Sequence, residues 1–158
     1  MKYIPRSVEP ILKKSAKEFP VIALTGPRQA GKTTLLKHLY GKSHKYVSLE
    51  TPVIRAAATD DPRGFLDMYS PPVVFDEVQH VPDLLPYIKE MVDANRNTPG
   101  QFILTGSQNL LLAQNITETL AGRSAVLRLL PVTYREQTGV PGQPLPWEKG
   151  KRNERKKI

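Results

Sequence analysis

The chain has 158 residues, 39% of them hydrophobic and 24% charged, with a net charge of +8, 15 prolines and no cysteine. That length suits one domain able to bury about two-thirds of the surface its unfolded chain exposes. Disulfides and thiolate metal sites are excluded, no apolar run reaches the ~20 residues of a membrane-spanning helix, and the first residues lack a secretory apolar segment, so a cytoplasmic address without membrane association is expected.

In chain order, residues 6–18 read as a helix, with Ile11 and Leu12 apolar among lysines. Val21 to Thr25 is a continuous apolar strand, the pattern of a parallel strand covered on both faces. Gly26-Pro27-Arg28-Gln29-Ala30-Gly31-Lys32-Thr33 comes next and leads into a helix that runs to about Tyr40, where Gly41 is placed to end it. Strand, Gly-x4-Gly-Lys-Thr loop and helix together form the pattern of a phosphate-binding P-loop. Glycine lets the backbone curl close to an anion, and the next helix aims its free N–H groups and positive dipole end at it.

This pattern makes Gly26 through Thr34 the expected nucleotide-binding segment. Lys32 would reach the β- and γ-phosphates, and the Thr33 hydroxyl would ligate Mg²⁺. Thr34 either contacts the α-phosphate or opens the helix. Arg28 is either a charged fork over the loop or a solvated surface arginine, since the motif leaves its position free.

Tyr46 to Leu49 reads as a second strand. Thr51-Pro52 and Asp61-Pro62 each read as an N-cap followed by proline, predicting short helices over 52–58 and 62–69. Pro72 to Asp76 is a third strand. Leu84, Leu85, Ile88, Met91 and Val92 then recur at helical spacing and predict a core-facing helix. Asn97 to Gly100 is a turn, Gln101 to Thr105 a fourth strand, and 108–121 a helical stretch with a break near Asn115. Ala125 to Leu130 gives a fifth strand. Strands alternating with helices predict an α/β fold with a mainly parallel sheet.

Asp76 and Glu77 come after the third strand, at the sheet edge where ligands of open parallel sheets lie. Asp76 would hold Mg²⁺ through its water shell, and Glu77 would orient and deprotonate an attacking water. Ser107, past the fourth strand, is a candidate to sense the γ-phosphate. Thr105, Gln108 and Asn109 compete for that duty, and turn capping is the plain alternative. Arg123 is either an arginine finger toward a neighbouring copy or a helix-end arginine near carbonyls. His38, His44 and His80 show no paired metal-ligand spacing.

From about Pro131 the periodic pattern fails. The segment 140–146 is proline-rich, and residues 148–158 carry six basic side chains against Glu148 and Glu154, half of the net charge. A core domain over 1–138 and a disordered tail over 139–158 are expected, with nucleic acid as the sharper partner for the tail. Trp147 stands alone in it.

With these residues in view, the chain resembles the AAA-type P-loop ATPases of the bacterial and archaeal group whose P-loop reads GPRQxGKTT. The likeness covers about residues 3–137. It includes Ser48-Leu49-Glu50, the FDEVQ string through Gln79, LTGSQ at 104–108, LAGR at 120–123 and Pro131-Val132-Thr133-Tyr134-Arg135-Glu136. The resemblance implies a three-layer sandwich around a five-stranded sheet of order 5-1-4-3-2. It further implies ATP, Mg²⁺ and hydrolysis, with Ser107 in the sensor position and Arg123 as the arginine of the LAGR string; the string assigns Gln79 no role. Similar proteins continue into a C-terminal domain, so a shortened relative is expected here. Homo-oligomerisation and a protein partner of unspecified identity go with the family. Two alternatives share the fold: a small-molecule phosphotransferase, and a nucleotide-dependent, nucleic-acid-associated switch with little turnover.

Overall fold

The computed structural model describes residues 2–107 and 110–138. Gln108, Asn109, Trp147 and the basic tail lie outside the described residues. Five strands, β1 (Val21–Gly26), β2 (Lys45–Ser48), β3 (Val73–Asp76), β4 (Phe102–Ser107) and β5 (Ser124–Arg128), form one sheet of order β2-β3-β4-β1-β5. Every pairing is parallel. The order is the expected one: the loop-bearing strand β1 and the acid-bearing strand β3 are separated by β4.

Parallel pairing requires crossovers, and the helices supply them. They are α1 (Glu9–Glu18), α2 (Lys32–Tyr40), α3 (Pro52–Asp60), α4 (Pro62–Met68), α5 (Leu85–Ala94), α6 (Leu110–Thr119) and α7 (Tyr134–Gln137). Side chains alternate across each strand, so both faces of the sheet are apolar. Ala23, Phe75 and Leu104 face a layer holding Phe65, Ile88 and Ile116. Ile22, Leu24, Val74 and Ile103 face Leu12, Leu35 and Leu36 on the other side. Phe75 and Phe102 are fully buried, with stacked rings 6.1 Å apart. Each such side chain contributes about 1.5–3 kcal/mol of burial.

Several local expectations are corrected. The first helix starts at Glu9, not at residue 6, with Pro10 in its first turn, which leaves Arg6 and Ser7 outside it. Asp61 caps α4 by accepting from the Gly64 amide at 3.1 Å, but the Thr51 side chain caps nothing at the start of α3. Helix α6 runs unbroken through Asn115, because Leu112 and Ile116, four residues apart, share its buried face, continued just past its end by Leu120, and outweigh one weak helix former. Regular structure also continues past Pro131. Thr133 and Glu136 form a reciprocal capping box that starts α7, a helix of four residues and too short to show as periodicity.

Candidate functional site

The loop between β1 and α2 is shaped by two glycines with different reasons. A Cβ on Gly26 would lie 2.2 Å from the Leu129 carbonyl oxygen, so the close pass of the chain beyond β5 demands glycine. Gly31 has φ of +95° at the N-cap of α2, and Gln29 also lies in the left-handed region at +63°. These turns curl the loop around a cavity of about 430 Å³ lined by Arg28, Gln29, Gly31, Lys32, Thr33, Thr34 and Glu77. The first N–H groups of α2, free of helical partners, belong to that wall.

Lys32 is 6% exposed. Its Nζ donates to the Gly26 and Pro27 carbonyls at 2.8 and 2.9 Å. Burial pushes the ammonium below its ordinary value, and the Glu77 and Asp76 carboxylates oppose that shift.

Asp76 ends β3 on the same rim. Its Oδ2 accepts from the Thr33 hydroxyl at 3.4 Å, and its Oδ1 accepts from the Thr105 hydroxyl. Thr33 Oγ1 in turn accepts from the Tyr46 phenol at 3.3 Å. Burial first, then the neighbouring Asp76 carboxylate, push that phenol well above its ordinary range, so it remains a donor.

Glu77 turns the chain out of the strand with φ of +60°, a conformation costing a non-glycine residue about 1–3 kcal/mol. Two bonds hold it there. Its amide donates to Thr105 Oγ1 at 3.0 Å, and its carboxylate accepts from the Gln79 side-chain amide. The turn brings Glu77 to the cavity that Lys32 and Thr33 line.

The remaining expected residues are less uniform. Ser107 ends β4 opposite Gly26 in register, and it is not among the residues that line the cavity. Pro27 and Ala30 shape the loop, the Ala30 amide donating to the Pro27 carbonyl at 3.3 Å. The Arg28 side chain is 80% exposed and pairs with Glu50 at 3.4 Å, which favours the solvated reading. Arg123 does not join the site. It precedes β5, its carbonyl accepts from the Val21 amide at 3.1 Å, and its guanidinium grips Asp93 at 2.6 and 3.1 Å. Val21 is the far end of β1 from Gly26, about 17 Å away at ~3.3 Å per residue.

Sequence reasoning missed Arg6, Tyr46 and the role of Gln79. Gln79 carried a signal, its place in the FDEVQ string; Arg6 and Tyr46 carried none, because their partners lie on other elements. A second cleft of about 230 Å³, largely apolar, shares Gly31 and Thr34 with the phosphate cavity and is otherwise lined by Lys2, Tyr3, Ile4, Arg6, Leu35 and Val132. A larger cavity of about 680 Å³ opens at the opposite rim, near Tyr40, Pro72 and Gly100, and holds none of the loop residues. Two of the three histidines take structural places: His38 stacks on Tyr3, and His44 bonds Ser43 and the Gly100 carbonyl. Among the described residues no helix is long and apolar enough to cross a membrane.

A family model described as an AAA domain matches residues 18–138. Uncharacterized proteins of Mycobacterium bovis and Mycobacterium tuberculosis are each 39% identical over 127 residues, covering 79% of this chain and 28% of theirs. An uncharacterized protein of Methanocaldococcus jannaschii is 27% identical over 120 residues, covering 70% of this chain and 26% of its own. Among solved structures, a chain from a study of forked double-stranded DNA unwinding by two coordinating Pif1 helicases aligns with a TM-score of 0.48 and 13% identity, over 84% of this chain and 45% of its own. The chain thus spans little more than a quarter of the length of the curated relatives it matches.

Proposed function

The chain belongs to the AAA domain family, and from that premise we propose that residues 1–138 are an ATP-binding, Mg²⁺-dependent ATP-hydrolysing core. One observation carries the reading: the Thr33 hydroxyl and the Asp76 carboxylate meet at 3.4 Å beside a cavity walled by Lys32 and Glu77. A hydroxyl, an ammonium and two carboxylates converge there from two separate strand ends, as phosphoryl transfer to water requires.

The donor set fits a hard divalent cation. The Thr33 hydroxyl would ligate Mg²⁺ directly, and the Asp76 carboxylate would hold it through its water shell. When bound, the cation neutralises charge on the phosphate oxygens. Lys32 leaves the Gly26 and Pro27 carbonyls for the β- and γ-phosphates, which also relieves its desolvation. Thr105 and Tyr46 keep Asp76 and Thr33 aimed at each other. Glu77 takes a proton from the attacking water as the bond from the γ-phosphorus to the β–γ bridging oxygen breaks, giving ADP and phosphate. In this reading Ser107, opposite Gly26 in the sheet register, is the residue that would sense the γ-phosphate. The apolar cleft of Tyr3, Ile4 and Val132 gives the base room. Arg123, a β-strand's length away, is out of reach of this cavity and would serve only the site of a neighbouring copy.

The experiment is ATP turnover and melting of the full chain with Mg²⁺. Glu77→Gln is expected to bind ATP and lose about 10²–10⁴ in rate, and Lys32→Ala to lose the ATP-induced rise in melting temperature. A wild-type chain whose melting ignores ATP with Mg²⁺ removes the proposal.

A further inference from the structure

Three stretches remote in sequence meet at one buried ion pair that touches the phosphate loop. Arg6 is 5% exposed and Glu136 3%. Arg6 Nε donates to Glu136 Oε2 at 2.8 Å, Nη1 donates to the Ala30 carbonyl at 2.6 Å, and Nη2 donates to the Leu130 carbonyl. Glu136 is itself fixed by the Ser7 and Thr133 amides, both at 2.8 Å. One planar guanidinium therefore ties the N-terminal segment, the phosphate loop and the capping box of α7.

The Ala30 bond has a consequence for the loop. The Ala30 carbonyl and the Gly31 amide belong to one planar trans peptide and point in opposite directions. Arg6 lines the apolar cleft and not the phosphate cavity. Pinning the carbonyl on the Arg6 side turns the Gly31 N–H toward the anion. Glycine leaves that peptide otherwise free to rotate, so an external clamp is needed. The clamp also fits only glycine, since a Cβ there would come within 2.9 Å of Arg6 Nη1.

We infer that Arg6 is a positioning residue for the phosphate loop, and that Glu136, by aiming Arg6, couples nucleotide binding to the 133–138 segment. The inference rests on the nucleotide reading of the loop and adds a route by which the occupied site changes the order of α7. Coupling of this kind is reciprocal: if the clamp improves binding, nucleotide must tighten the clamp equally.

The test uses the full chain, with ATP and Mg²⁺ titrated calorimetrically. Arg6→Lys keeps a positive charge beside Glu136 but cannot reach three acceptors at once. Arg6→Met combined with Glu136→Leu removes the pair together, so no buried charge is orphaned, and circular dichroism checks that the double variant is folded. Both are expected to bind roughly 10- to 100-fold more weakly, the worth of one aligned hydrogen bond to a charged group. Wild-type hydrogen exchange at the 134–138 amides is expected to slow with nucleotide, and in the variants to ignore it. A folded double variant with wild-type affinity would show a clasp that is structural only and overturn the inference while leaving the ATPase reading intact. Wild-type exchange at 134–138 indifferent to bound nucleotide also overturns it, with no variant needed. A wild-type chain that binds no nucleotide overturns both.

Discussion

The Gln79 side-chain amide hydrogen-bonds the Glu77 carboxylate across one turn of 3-10 helix, Val78–His80. The bond holds the proposed base in place from behind, since Gln79 does not line the phosphate cavity. Gln79→Leu keeps the bulk and removes the donor. Turnover is expected to fall about tenfold with KM for ATP unchanged, since the bond aims a base that acts in the chemical step and takes no part in holding ATP. Steady-state kinetics decide it; an unaltered kcat would reduce the bond to loop packing.

Thr105 is the hinge of the acid pair. It is 1% exposed, donates to Asp76 and accepts from the Glu77 amide. Thr105→Val preserves shape and takes one partner each from the buried Asp76 carboxylate and the half-buried Glu77 amide. Denaturant unfolding is expected to show a loss of about 2–4 kcal/mol, and Thr105→Ser is expected to recover most of it. Equal midpoints for Val and wild type would mean that water replaces the hydroxyl.

The reach of the sequence ends where contacts leave the local chain. Gly26 to Thr33 was legible because the loop's chemistry is contiguous, and β1 because burial on both faces writes an unbroken apolar run. Asp76 and Glu77 were legible as a string after a strand, and the sheet order through family likeness. The Tyr46–Thr33, Thr105–Asp76 and Arg6–Glu136 bonds join residues 13, 29 and 130 positions apart, and no periodicity encodes such pairs. Asn115 misled because a weak helix former was weighed without the packing of Ile116 beside it. Thr133 and Glu136 had capping-box spacing, but the helix they open has only four residues.

Lys32 offers a stability test of a different sign. Burial lowers its value from 10.5, so between the folded value and 10.5 the unfolded chain binds more protons. Stability therefore rises with pH across that window, and below it the buried charge of Lys32 costs the fold stability. Lys32→Met is expected to melt no lower than wild type without nucleotide. Wild type at 100 times its dissociation constant for ATP should gain about 2.7 kcal/mol, and the variant nothing. Thermal melts with and without ATP·Mg²⁺ read both effects, and a variant that still gains would remove Lys32 from phosphate binding.

Glu136 gives the acid limb. Burial alone would raise its carboxyl, but the Thr133 and Ser7 amides and the Arg6 guanidinium outweigh burial and hold it below its ordinary 4.5. Its stabilising contribution is thus complete above about 4.5 and lost as pH falls through the lower folded value. The stability gap between wild type and Glu136→Gln is expected to be constant from neutral pH to about 5 and to narrow below 4.5. Urea midpoints across that range measure it, and a gap that stays constant in acid would show that the carboxylate charge contributes nothing.

Arg123 poses the question of a second copy. Its guanidinium is held by Asp93, and the charge of each favours the ionised form of the other, through the hydrogen bond first. Nothing in that geometry lets it reach the cavity of its own chain, where Gly26 and Val21 mark opposite rims of the sheet. If it completes the site of a neighbour, then Arg123→Ala and Glu77→Gln each abolish turnover, but a mixture of the two recovers part of it, because some interfaces combine an intact Glu77 with an intact Arg123. Specific activity of the wild type is then expected to rise with protein concentration, and an arginine acting in trans is worth roughly 10³–10⁵ in rate. Arg123→Ala that lowers the melting temperature and leaves turnover untouched would assign the residue to Asp93 alone.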